Sequence, residues 1–155
     1  MKCLDIYLWY PARKHAHNHE PTQPVLGITN YDRCNKVYWL IGEIDNNDFD
    51  IEPLINNEIY MIVETRKGYH LYFKYHSKNP LKVIHYGLKH YKFLDKHHMR
   101  MGLWRYRNTD DKRKAFLVLR VSPKYRTPDL QIVYFDKSAP EWHRQVKNLI
   151  LFLSS

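Results

Sequence analysis

Between Val37 and Tyr75 three apolar or aromatic runs follow one another, and the only interval longer than a turn is broken by Pro53. The first run, Val37-Tyr38-Trp39-Leu40-Ile41-Gly42-Glu43-Ile44-Asp45, has the composition of a strand that ends in carboxylates. With a period of two, Val37, Trp39, Ile41, Glu43 and Asp45 share one face, and Tyr38, Leu40, Gly42 and Ile44 share the other. Same-face neighbours are roughly 6 to 7 Å apart at the backbone. Glu43 and Asp45 can therefore reach one hard cation, and without it their charges repel, so a divalent metal is the natural partner.

The second and third runs, Ile59 to Thr65 and Tyr69 to Tyr75, are joined by Arg66-Lys67-Gly68. This is a hairpin pattern with a glycine where positive φ is expected. On the return strand His70, Tyr72 and Lys74 fall on a polar face, opposite Tyr69, Leu71, Phe73 and Tyr75. Arg66 and Lys67 add cations at a backbone turn of the kind that receives phosphate oxygens. Ile51 to Asn57, between the acids and the hairpin, allows no more than a turn of helix.

The flanking chain alternates strand and helix signals. Leu4 to Tyr10 reads as a strand with Leu4, Ile6 and Leu8 facing in, ended by Pro11. Arg13 to Pro24 reads as an exposed loop. Its His15, His17 and His19 admit three readings: a solvated basic loop, a zinc site completed by Cys3 or Cys34, or the paired histidines of a rolling-circle nickase. The polar flanks Arg13, Lys14, Asn18 and Glu20 favour the loop. Pro80 opens a helix with Leu81, Ile84, Leu88 and Tyr91 on one stripe, ending near Leu94-Asp95, with His85 and His90 at its surface. From Asp95 to Arg107 arginines interleave with aromatics. That suits phosphate and base contacts, and equally a strand with an exposed basic face. Ala115 to Val121 and Leu130 to Phe135 are further strands, joined by a basic, proline-stiffened loop. Ser138-Ala139-Pro140-Glu141 is a capping-box pattern ahead of a helix carrying Trp142, Val146, Leu149, Ile150 and Leu153.

The chain of 155 residues is expected to form one domain over residues 1–155. Its order of elements predicts an α+β fold, a mostly antiparallel sheet with helices on one side. A formal net charge of +9 favours a polyanion, and nucleic acid is the first expectation. Cys3 and Cys34 fit no disulfide framework, and neither a signal peptide nor a membrane-spanning run is present, so a cytoplasmic or other intracellular location is expected, with no membrane partner.

Glu43-Ile44-Asp45-Asn46-Asn47-Asp48-Phe49-Asp50 resembles the first motif of the small catalytic subunit of archaeal and eukaryotic DNA primases. Arg66-Lys67-Gly68-Tyr69-His70 resembles the second. The likeness covers about residues 37 to 107, with Glu43 where the motif usually has Asp and no zinc-binding insertion. It implies membership of the archaeo-eukaryotic primase superfamily and an RRM-like catalytic core. It further implies Glu43, Asp45 and, as third acid on a later strand, Asp95 as ligands of Mg2+ or Mn2+. His70, Arg66, Lys67, Arg105, Arg107 and Lys124 would contact nucleotide, and Arg100, Trp104 and Tyr106 would contact nucleic acid. The implied activity is primer synthesis on a single-stranded DNA template from nucleoside triphosphates, with a helicase or a large primase subunit as further partner. The alternative is a non-catalytic single-stranded nucleic-acid-binding domain on the same fold.

Overall fold

The computed structural model describes residues 1–10, 23–55, 57–108, 110, 117–125 and 127–155. The central stretch folds as its pattern requires. Strands β4 (Val37–Ile44), β5 (Ile59–Glu64) and β6 (Tyr69–Ser77) pair antiparallel, with β6 in the middle. The short β3 (Tyr31–Asp32) and β8 (Gln131–Phe135) extend the sheet to the order β3-β4-β6-β5-β8. A second antiparallel sheet, order β1-β2-β7, is built from β1 (Ile6–Trp9), β2 (Val25–Thr29) and β7 (Val118–Arg120). One hydrophobic core joins the two, running from Ile28 and Leu119 through Leu40, Ile41 and Leu71 to Trp142 and Ile150.

Three helices complete this α+β architecture: α1 (Pro80–His90), α2 (Lys96–Arg107) and α3 (Glu141–Leu153). They do not share one side, as the order of elements had suggested. On the face of Leu40 and Gly42, Gly87 of α1 leaves space for the Leu40 and Met99 side chains, and Leu94 lies against Gly42. Phe73 meets Tyr91 on this same face, with centroids 4.4 Å apart. On the opposite face Trp142 of α3 stacks over Trp39 at 6.5 Å and meets Tyr72 at 6.2 Å. A large apolar stripe on a C-terminal helix needs a partner of its own, and the second sheet face supplies it.

Several local expectations change. Leu4 is buried, but Ile6 and Leu8 of β1 are 51% and 59% exposed. β1 is an edge strand, and Tyr7 and Trp9 are the residues turned towards the interior cleft. Helix α1 stops at His90, where a cation-rich last turn suits the helix C-terminus, rather than near Leu94-Asp95. Residues 96–107 form helix α2, not a strand. The capping box before α3 does not form. The cap is Pro140, whose ring has no hydrogen-bond acceptor to offer, and the Ser138 hydroxyl donates to Asp136 Oδ1 at 2.7 Å instead. Gly68 does not take positive φ. Its constraint is steric, because a Cβ there would collide with the carbonyl oxygen of Ile44 and lie 2.8 Å from the amide of Asn46. Cys3 and Cys34, expected to stay apart, form a disulfide that ties the N-terminus to the β3–β4 turn. Both thiols are therefore unavailable to a zinc site, and His15, His17 and His19 lie outside the described residues.

Candidate active site

The site sits at the C-terminal end of β4, where the two sheets part. Glu43 pairs with His70 across β4 and β6, and Val63 of β5 faces His70 in turn. β3 covers only Val37 and Tyr38, so the far half of β4 has an open edge. The connection between α1 and α2 closes it: the Asp95 amide donates to the Glu43 carbonyl at 2.8 Å. Asp95 then caps α2, its Oδ1 accepting from the amides of His97 at 2.8 Å and His98 at 3.4 Å. Such a cap satisfies otherwise orphaned donors and brings a negative charge to the positive end of the helix. The third acid therefore arrives on a helix start, not on a strand.

Glu43, Asp45 and Asp95 line one cavity of about 570 Å³ together with Arg66, Lys67, His70, Arg105 and Lys124. The volume lies in the range of small-molecule sites. Of the remaining residues singled out in the sequence, Arg100, Trp104 and Arg107 are exposed on α2 and do not line it. Tyr106 is half-buried against the core. The sequence reading missed Tyr7, Trp9, His98, Arg120, Tyr125 and Asp129, which also line the cavity. Nothing in their local pattern marks them; His98 arrives on the first turn of α2, and the others through β1, β7 and the loop after β7, whose placement only the tertiary fold sets.

The charges are strongly coupled. Burial holds the Glu43 carboxyl above its usual range, and the charges of Asp45 and Asp95 add to this while His98 opposes it. Asp45 is exposed and lines the cavity, yet it too is raised, first by partial desolvation and then by the neighbouring Asp95. His70 is not on a solvated polar face: it is 6% exposed. Burial, then Arg120 and His98, push it well below the usual histidine range. Its Nε2 lies 3.6 Å from Glu43 Oε2, beyond a hydrogen bond, and a neutral ring makes no ion pair there. Among the described residues the Nδ1 atoms of both His70 and His98 are buried without a partner, while His98 Nε2 is held by the Val118 carbonyl at 2.8 Å.

The cationic wall is fixed more rigidly. Arg120 is clamped by Asp129, with Nη1 to Oδ1 and Nη2 to Oδ2 both at 2.9 Å, and Nη1 also donates to the Ser122 carbonyl. Arg66 lies over the Tyr125 ring at 4.1 Å and donates to Thr127 Oγ1 at 2.6 Å. Burial, then Arg120 and Lys67, lowers Lys124 from the usual lysine range. Three acids thus face a group of cations in one cleft.

The donor chemistry fits a hard divalent cation. Asp45 and Asp95 stand close enough for Asp95 to raise the Asp45 carboxyl, and oxygen donors are what Mg2+ or Mn2+ prefers. Glu43 is turned towards His70, and the carboxylates of Glu43, Asp45 and Asp95 do not all come within 4.8 Å of one another, so a shared cation would have to draw them together. Among the described residues the one group of three candidate ligand atoms within 4.8 Å of one another is Cys3, Asp32 and Cys34. It does not suit a metal: the sulfurs are bonded to each other, and the Asp32 carboxylate accepts from Trp39 Nε1, Asn35 Nδ2 and the amides of Cys34 and Asn35. Among the described residues no helix is long and apolar enough to cross a membrane. Comparison with known protein families, with curated proteins and with solved structures returns no match.

Proposed function

We propose that the chain is a metal-dependent nucleotidyltransferase of the primase or primase-polymerase type, which makes short primers on a single-stranded DNA template from nucleoside triphosphates. One observation carries this reading: Glu43, Asp45 and Asp95, two from a strand end and one from a helix cap some fifty residues later, converge on a cleft whose other wall is cationic. Under this reading the five-stranded sheet is an RRM-like catalytic module, the setting is intracellular, and a helicase or large primase subunit works beside it.

The residues divide the labour by charge. Asp45 and Asp95, with Glu43 behind them, would hold Mg2+ or Mn2+, which when bound activates the attacking hydroxyl and neutralises the leaving pyrophosphate. Lys67 at the hairpin turn and Lys124 opposite it supply cations for the triphosphate oxygens, and Arg120 is held in place by Asp129. His70, kept neutral by burial, can donate to a phosphate oxygen without competing with the metal for Glu43. The template would follow the outer surface of α2. Residues 78–107 hold eight Lys and Arg against one carboxylate, Asp95, and so carry seven of the nine net charges.

The test is extension of a single-stranded template by purified protein with labelled nucleoside triphosphates and Mn2+, beside Asp45→Ala. Products from the wild type that vanish in the variant support the reading. The second reading, a non-catalytic single-strand-binding domain, is favoured by the exposed basic surface and by Trp104, which is 59% exposed. No products from either protein, with equal salt-sensitive strand binding by both, would select it.

A further inference from the structure

The candidate site has a third wall, neither acidic nor cationic. Tyr7 and Trp9 lie two residues apart on β1 and so project from the same side of the strand, into the cavity that holds the acids. Their rings meet at 5.7 Å and 52°. The indole is seated by its neighbour strand: Trp9 pairs with Val25, and a Cβ on Gly27 would come within 2.5 Å of Trp9 Cζ3 and 2.8 Å of the Leu119 carbonyl oxygen. Only glycine at position 27 leaves room for the ring, so the ring is pinned against β2. The indole also lines the cavity.

Nothing in the core requires this arrangement. Ile6 and Leu8, the aliphatic residues of β1, are exposed and do not line the cleft, while Trp9 and the 41% exposed Tyr7 do. A polar group stands beside them. Arg105 of α2 lines the same cavity, and its Nη1 is buried without a partner among the described residues. Tyr7 lies close enough to Arg105 to act on its charge. The cavity is therefore two-ended, with carboxylates and cations at one end and an aromatic shelf with an unsatisfied donor at the other.

We propose that Trp9, with Tyr7, is a base-stacking shelf, so that the cleft takes a nucleotide whose base lies on the indole, with Arg105 donating to a polar edge and the phosphates among Lys67, Lys124 and the acids. A shelf of this kind selects for the nucleobase and not for phosphate alone, and it tolerates all four bases because each presents a π-face. This inference rests on the nucleotidyltransferase reading for the phosphate end, and adds the substrate's other end.

The experiment compares two probes in Mn2+, an unlabelled nucleoside triphosphate and inorganic tripolyphosphate, by calorimetry on wild type, Trp9→Ala and Trp9→Phe. The expected result is that Trp9→Ala weakens the nucleoside triphosphate roughly 5- to 150-fold, the range of one base–aromatic stack. Tripolyphosphate is expected to bind all three proteins alike, and Trp9→Phe to recover most of the loss. Equal weakening of both probes by Trp9→Ala overturns the shelf, as does no weakening of either. If neither probe binds the wild type, the nucleotidyltransferase reading itself fails. Circular dichroism of each variant separates a lost shelf from a lost fold.

Discussion

The amide of Asp95 donates to the carbonyl oxygen of Glu43 at 2.8 Å, and by this bond the start of α2 completes the open edge of β4. Acids more than fifty positions apart are thereby set by backbone, not by side-chain reach. The bond explains how Asp95 can serve at once as a helix cap and as the neighbour of Asp45.

These two duties can be separated by substitution. Asp95→Ala removes the cap and the charge, and should cost about 1 kcal/mol of stability as well as the metal-dependent activity. Asp95→Ser keeps an N-capping oxygen and removes only the carboxylate. It should unfold within about 0.5 kcal/mol of wild type in urea, yet bind Mn2+ at least about tenfold more weakly. Wild-type Mn2+ affinity in Asp95→Ser would remove the third acid from the site.

Gly68→Ala tests the fit of the hairpin turn against β4. The added methyl meets the Ile44 carbonyl oxygen, which is backbone and cannot rotate away. Overpacking of this kind costs about 1–3 kcal/mol, and the shift should fall on the segment bearing Asp45. Thermal denaturation and Mn2+ titration are both expected to change. A variant as stable as wild type would show that the two loops are less closely seated.

Acid sensitivity should trace largely to His143. It is fully buried among Trp39, Tyr60 and Trp142, neither ring nitrogen has a partner among the described residues, and burial pushes it from 6.5 down to about 3. The folded ring stays neutral where the unfolded one takes a proton. Its contribution is thus complete above pH 6.5 and declines as the pH falls towards 3, by about 1.4 kcal/mol per pH unit. His70 runs in the same direction. Urea titrations at pH 7 and pH 5 should show a smaller loss for His143→Phe than for wild type, and an equal loss would mean that the ring finds a proton acceptor.

The Cys3–Cys34 bond closes a loop over a sequence separation of 31. A loop of that size is worth about 3–4 kcal/mol on the chain-entropy account. The double variant Cys3→Ser/Cys34→Ser, or the wild type in reductant, should melt lower by several degrees. Thiol counting on protein taken directly from its cells would show whether the bond exists there, since intracellular disulfides are uncommon.

The central hairpin, β4 and the C-terminal helix were legible in the sequence because each is a long run with one clear period. The strand β2, Val25–Thr29, was not: five residues beside a proline and a glycine carry too little pattern. Helix α2 was missed because its buried positions, His98, Met99 and Gly102, are not an apolar stripe. Its helicity depends on the Asp95 cap and on packing. The acids and the basic turn could be picked out because their spacing is local. Trp9, Arg120 and Asp129 could not, since what brings them to the same cavity as Glu43 is the meeting of two sheets, and His98 could not, since α2 itself was not read as a helix.

The absent side chain at Gly68 has a mechanical meaning as well. Asn47 Nδ2 also donates to the Arg66 carbonyl at 2.8 Å, so the loop after β4 and the turn between β5 and β6 touch at two points and leave no gap. They can shift only as one piece. An anion that draws Lys67 inward would carry the backbone beside Asp45 with it, and a cation that draws Asp45 would carry Lys67. Contact between the two loops would then carry occupancy at Lys67 to Asp45, and the reverse, without a moving lid.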